Sequence, residues 1–278
     1  MHTQEALKSM LRTASIALTL TLLSFNSPEA NPMGIELAST SAVSTKTTAK
    51  ALTFAEKQLA FDNHVEDIYD RADLRGKGLS LAVFQKAFVG FQNLKKRQLV
   101  SPSKAILTVV DFTKPSREKR MWVIDQNEKK LLFNTLVAHG RNTGNVIAEK
   151  FSNQPNSNMS SLGFYVTDKT YYGKHGLSLK LDGLDKGFNT NARTRAIVVH
   201  GAEYATKDFI KQHGRLGRSL GCPALPTEIS KEVINVIKDE TVMYVHSNDK
   251  GYTSKYLDLT QAVESFAVNQ TITESMAI

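Results

Sequence analysis

The spacing of apolar residues changes at Pro102, and that change bounds what the chain can fold into. From Phe54 to Val100 the spacing is helical: Leu81, Phe84, Phe88, Phe91 and Leu94 recur at three- and four-residue steps. Ser80 stands where an N-cap belongs, and the Gly76–Gly78 stretch separates this helix from an earlier one. After Pro102 come short β-like runs: Ala105–Phe112, Met121–Asp125, Lys130–Ala138, Gly163–Thr167, Leu177–Leu181, Ala196–His200 and Thr241–His246. Gln126, Asn127 and Glu128 suggest a hairpin between the second and third. One late helix is expected, with Ile229, Val233, Val236 and Ile237 on one face and Thr227 as its cap. The expected fold is mainly β (α+β), with an N-terminal helical segment over 54–100 and a β-rich domain over 101–250. Residues 251–278 carry no strong pattern and read as a C-terminal tail.

The N-terminus reads as an export signal. Lys8 and Arg12 precede the uncharged, largely apolar run Thr13–Phe25, too short for the roughly 20 residues a membrane helix needs. Residues 1–30 are therefore expected to be a cleaved signal peptide, an uncleaved anchor being the weaker reading. No cysteine lies there, so a lipoprotein anchor is excluded. Residues 31–53, rich in Ser, Thr and Ala, read as a tether.

Export bears on the single cysteine, Cys222, within GRLGRSLGCPALP (214–226). In an oxidising compartment a lone cysteine forms an intermolecular link, is buried, or is a reactive thiol. Gly221 and Pro223 on either side suit a turn better than a core. A nucleophilic thiol needs a base, because the thiolate is the attacking species. Among the histidines, His200 (AIVVHG) and His139 (LVAHG) both end apolar runs and are followed by glycine. His213, His175 and His246 have weaker local settings, and pattern alone leaves His200 and His139 open. The net charge of +8 suits an anionic partner, although an ordinary solvated basic surface carries equal weight. Nucleic acid is not expected, for no recognisable binding motif is present. No metal-ligand spacing is seen either.

A strand ending in His-Gly and followed by Ser-x-Gly-Cys resembles the murein L,D-transpeptidase catalytic domain family of the YkuD type. The likeness is greatest to the branch with a GRSxGCPA signature. It spans Phe54 to His246 and is carried by VVDFTKPS, LVAHGRNTG, FSNQPNSNMSSLGFYVTDKTYYGKHGLSLKLDGLDKGFN, RAIVVHGAEY and GRLGRSLGCPALP. The resemblance implies a β-sandwich-like catalytic domain, with Cys222 as nucleophile and His200 as base, its ring held by a backbone carbonyl. It implies that Ser219 is a hydrogen-bonding helper and that Gly221 lets backbone N–H groups face the oxyanion. Most of the wider family has an arginine two positions after the cysteine, where this chain has Ala224. Arg218 or Arg215 would take over that role, unless both only brace the loop. His139 and Gly201 would line the cleft, and Tyr172 and His175, with Tyr171 and Lys174, would form a lid over the donor groove.

The implied partners are peptidoglycan stem peptides, attacked at the third residue with loss of D-alanine, outside the cytoplasm and without a cofactor. The acceptor would be a stem amine, giving a 3→3 cross-link, or an amine of an outer-membrane or wall-tethered protein. With water as acceptor the enzyme would be an L,D-carboxypeptidase. A non-catalytic cell-wall-binding module and a disulfide-linked dimer through Cys222 are the rivals. A papain-like protease is disfavoured, because His200 precedes Cys222 and Pro223 follows it.

Overall fold

The computed structural model describes residues 51–276. The expected signal peptide (1–30) and all but the last three residues of the tether lie outside the described residues. Two helices come first, α1 (Phe54–Arg71) and α2 (Leu81–Lys96). A capping box opens α1: Thr53 accepts from the Glu56 N–H while the Glu56 carboxylate accepts from the Thr53 N–H at 2.7 Å. Ser80 caps α2 as expected, accepting from the Val83 N–H.

Eight strands follow: β1 (Ile106–Asp111), β2 (Met121–Asp125), β3 (Lys130–Thr135), β4 (Gly163–Gly173), β5 (Gly176–Gly183), β6 (Val198–Gly201), β7 (Ala224–Leu225) and β8 (Val242–His246). They form one mixed sheet in the order β3-β2-β1-β8-β4-β5-β6-β7. The β1–β8 and β6–β7 pairs are parallel and the remaining pairs antiparallel. Helix α3 (Lys207–His213) lies between β6 and β7, and α4 (Thr227–Ile237) between β7 and β8. The mainly β, α+β architecture expected from the sequence is the one observed.

Both faces of the sheet are covered, which explains why β1 and β2 read as nearly continuous apolar runs. Side chains alternate across the pleat. Leu107, Val109, Trp122, Ile124, Phe164 and Tyr244 face the core formed by the helices. Ile106, Val110, Met121, Val123, Tyr165 and Val245 face a second core closed by Val233, Ile234 and Ile237 of α4. Each large side chain buried in this way contributes roughly 1.5–3 kcal/mol of transfer free energy.

The 54–100 segment is helical, as expected, and shares one core with the sheet. Two expectations need correction. The late helix begins at Thr227, but its N-cap is Pro226 and no side chain caps it. Proline's fixed φ and missing N–H suit a helix start without a capping side chain. Residues from 251 onward are not a loose tail: they include α5 (Leu259–Met276), whose Ala262, Val263 and Phe266 are buried. The Phe266 ring meets Phe61 edge-on at 5.5 Å.

Gly90 in α2 tests this packing. A Cβ there would lie 2.0 Å from the Phe164 ring, which is itself stacked 4.4 Å from Tyr244 and has nowhere to move. Alanine ordinarily favours a helix over glycine by roughly 0.5–1 kcal/mol. Here Gly90→Ala is expected to destabilise the fold by about 1–3 kcal/mol through overpacking, seen as a lower urea midpoint. A raised midpoint would contradict the packing.

Candidate active site

The turn bearing Cys222 is held from two sides. On one, His200 of β6 pairs in register with Ala224 of β7. On the other, segment 138–141 pairs with 219–224: the Ala138 N–H donates to the Ala224 carbonyl at 2.8 Å, Ser219 N–H to His139 at 2.9 Å, and Arg141 N–H to Ser219 at 2.8 Å. Within the turn, the Ser219 hydroxyl accepts from the Gly221 N–H at 3.0 Å and donates to the Cys222 carbonyl at 2.7 Å. The expected hydrogen-bonding role of Ser219 is thus directed at the turn itself.

Gly221 needs its missing side chain on packing grounds. Its φ is +126°, and a Cβ would sit 2.7 Å from the Met159 carbonyl oxygen. Its own N–H is committed to Ser219 and does not point into open space. Gly201 is likewise a packing requirement, since a Cβ would lie 2.5 Å from the Ser230 hydroxyl on α4. Its carbonyl faces the site, accepting from His200 Nδ1–H at 2.9 Å. That bond fixes the tautomer and leaves Nε2 as the acceptor.

Cys222 is partly buried. Its sulfur accepts from the Val198 N–H at 3.5 Å and donates to the Ala196 carbonyl at 3.8 Å, and no hydrogen bond links it to His200. Burial pushes the thiol pKa up, against the Val198 N–H and the positive charges of Arg195 and Lys174, which lower it. Burial lowers His200, with the Gly201 carbonyl opposing and His175 and Lys174 adding to the shift. Both shifts favour the uncharged forms, thiol and imidazole.

His139 is not a cleft wall. It is 1% exposed, its Nδ1 accepts from the Arg120 guanidinium at 2.8 Å, and its Nε2 lies 3.3 Å from the Gly144 carbonyl. Burial, aided by the charge of Arg120, depresses its pKa to about 4. With both nitrogens engaged it is neither a base nor a substrate contact. Of the two strand-end histidines, His200 is the one with a hydrogen bond at one ring nitrogen only.

Arg218 donates to the Arg141 and Gly144 carbonyls, both at 3.3 Å, and Arg215 to the Leu216 carbonyl at 2.7 Å. Both brace the loop. The residues expected to form a lid lie on the β4–β5 hairpin, where Tyr172 is 77% exposed and the His175 ring stacks 4.3 Å from that of His200. Three further residues went unnoticed in the sequence: Arg120, Arg195 beside Cys222, and Tyr204, whose phenol pKa is pushed up mainly by burial. An arginine before each apolar run (RMWVI, RAIVVH) was the available signal. Among the described residues, no group of three or more His, Cys, Asp or Glu side chains is placed to hold a metal ion.

A thiol on a fixed turn, and an imidazole oriented by a backbone carbonyl on the adjoining strand, make up the kind of site used in acyl transfer through cysteine. Residues 75–246, well over half the chain, match the L,D-transpeptidase catalytic domain, and the chain belongs to that family. A comparison with curated proteins gave no match. Among solved structures, the chain is similar to an L,D-transpeptidase from Mycobacterium smegmatis (12% identity, TM-score 0.34, 52% of this chain and 59% of that one). It is also similar to an L,D-transpeptidase from Mycobacterium tuberculosis H37Rv (13%, 0.32, 52% and 58%). A third is the helical cell shape determining protein Pgp2 from Campylobacter jejuni (10%, 0.39, 67% and 64%). The matched region spans less than two thirds of each.

The buried neutral His139 makes stability depend on pH. Its folded pKa of about 4 lies below the unfolded value of about 6.5, so its contribution is complete above pH 6.5 and is lost as pH falls toward 4. The full contribution is about 3 kcal/mol. Urea midpoints at pH 7 and pH 5 are expected to differ more in the wild type than in His139→Gln. Equal differences would contradict a buried neutral ring.

Proposed function

We propose that the protein is a cysteine-dependent L,D-transpeptidase acting on peptidoglycan stem peptides outside the cytoplasm. The observation that carries this reading is the Gly201 carbonyl on His200 Nδ1, which leaves Nε2 free beside the Cys222 turn. Attack requires the thiol to turn from the Ala196 carbonyl toward that nitrogen. The proton then passes from sulfur to His200 Nε2 while sulfur bonds to the carbonyl carbon of the third stem residue. The bond from that carbon to the terminal D-alanine nitrogen breaks, and His200 returns the proton to the departing amine. A thioester remains. An acceptor amine then gives up its proton to His200 and attacks the thioester carbon; the carbon–sulfur bond breaks, a 3→3 cross-link forms, and the released thiolate takes the proton back from His200.

A neutral imidazole suits this sequence, because the base must be unprotonated when the thiol attacks the carbonyl. The basic balance of the chain suits stems that carry several carboxylates.

Intact-protein mass spectrometry with a disaccharide-tetrapeptide tests the reading. The wild type is expected to gain an acyl adduct and yield a cross-linked dimer, with acylation failing on the acid side at a pH below the ordinary histidine value of about 6.5. Cys222→Ala should form no adduct, and His200→Ala should acylate about 10²–10⁴-fold more slowly. Tripeptide without dimer would assign water, or a protein amine absent from the mixture, as acceptor. No adduct from the folded, reduced protein would overturn the enzyme reading and favour a wall-binding module.

A further inference from the structure

Arg195 precedes β6 in a tight turn. Arg195 N–H donates to the Asn191 carbonyl at 2.8 Å and Ile197 N–H to Ala192 at 2.9 Å, while Ala196 sits at φ +53°. The left-handed alanine lets the chain present two different groups from neighbouring residues: the Ala196 carbonyl that the Cys222 thiol meets, and the Arg195 side chain. The guanidinium of Arg195 is almost fully used. One arm donates to the Ser152 carbonyl at 2.7 Å and the Ser161 hydroxyl at 2.5 Å, the other to the Ser157 hydroxyl at 3.1 Å and the Met159 carbonyl at 2.6 Å.

The carbonyl of Met159 is also the atom that a side chain at Gly221 would strike, and a Cβ there would lie 3.2 Å from the second arm itself. The Ser160 hydroxyl completes the junction, donating to the Gly221 carbonyl at 3.3 Å. The guanidinium therefore lies between segment 152–161 and the backbone immediately before the sulfur. Its four bonds are all to neutral acceptors, so no carboxylate cancels its charge.

We propose that Arg195 is the positioning residue of this site: it fastens segment 152–161 behind the Gly221–Cys222 turn and supplies the fixed positive charge that favours the thiolate. The assignment rests on Cys222 being the nucleophile, as proposed above. It also answers the question left by Ala224, since Arg218 and Arg215 are occupied with carbonyls elsewhere on the loop. The other titratable groups around the sulfur are Lys174 on the exposed β4–β5 hairpin, His200 with its stacked neighbour His175, and Tyr204. Lys174 is the only lysine or arginine among them, and it is exposed, so salt screens it. Arg195 is half-buried and fastened at both arms.

Because Cys222 is the only cysteine, its alkylation can be followed without ambiguity and without any peptidoglycan. The rate with iodoacetamide, measured from pH 5 to pH 10 on the full chain, gives the thiol midpoint. Arg195→Gln is expected to raise that midpoint by about one unit, slowing alkylation about tenfold at any pH below it. Arg195→Lys should restore the midpoint while amide exchange in 152–161 remains faster than in the wild type, separating charge from clamp. A folded Arg195→Gln protein with the wild-type midpoint overturns the proposal.

A second measurement stands even if that variant does not fold. In Lys174→Gln, iodoacetate should still react faster relative to iodoacetamide than it does with a free cysteine, because one cation remains at the sulfur. A ratio equal to that of free cysteine overturns the assignment. Failure to acylate with stem peptide would count against the transpeptidase reading and leave both alkylation results standing.

Discussion

The turn that carries Cys222 depends on being paired along both edges at once, by β6 on one side and by residues 138–141 on the other. A turn containing two glycines and a proline has little intrinsic preference for one shape. Its geometry comes from its neighbours. Arg120 holds the 138–141 edge in place from inside, its guanidinium bonded to the Val137 carbonyl and to His139 and lying over the Phe112 ring. Burying an arginine this completely costs several kcal/mol unless its donors are met. Carbonyls, an imidazole and an aromatic face meet them here. The price of that arrangement is a histidine that must stay neutral.

The same logic separates two histidines that look alike in sequence. LVAHG and AIVVHG each end an apolar run with His-Gly, and pattern could not choose between them. What differs is which partner reaches Nδ1. An arginine donates to His139 there, so the remaining proton sits on Nε2 and is directed at a carbonyl. A carbonyl accepts from His200 there, so the proton sits on Nδ1 and Nε2 keeps its lone pair. One imidazole becomes structure and the other is left able to take a proton. That distinction lives in tertiary contacts and has no local sequence signal.

Much of the fold was legible because the sheet is covered on both faces. Continuous apolar runs such as LTVVDF and MWVID marked β1 and β2, and the spacing of Phe84, Phe88 and Phe91 marked α2. Helix α5 was missed although Leu259, Ala262, Val263 and Phe266 keep helical spacing. One of its contact residues is an alanine, and the surface it covers, Phe61 and Phe88, lies at the far end of the chain. β7 was missed because two residues carry no period. At the site, the sequence brought Cys222, Ser219 and His200 forward as candidates through motif and resemblance, and the fold sets them on adjoining segments. Whether Arg218 braces the loop or meets substrate was open, because its partners, the Arg141 and Gly144 carbonyls, come from a distant segment, as does the Met159 carbonyl beside Gly221. Arg195 was invisible for the same reason, since all its partners lie 34 to 43 residues earlier in the chain.

The seating of α5 on α1 and α2 also dictates when this protein can finish folding. Lys57 reaches Glu264 across 207 residues, and Phe61 finds Phe266 across nearly the same span. Contacts between such distant residues are made late, because the loop they close must first lose its freedom. Until α5 has been made, the part of the aromatic face of α1 and α2 that it covers stays open. A chain emerging N-terminus first thus carries a sticky surface through the whole synthesis of the sheet, and α5 is the segment that seals it.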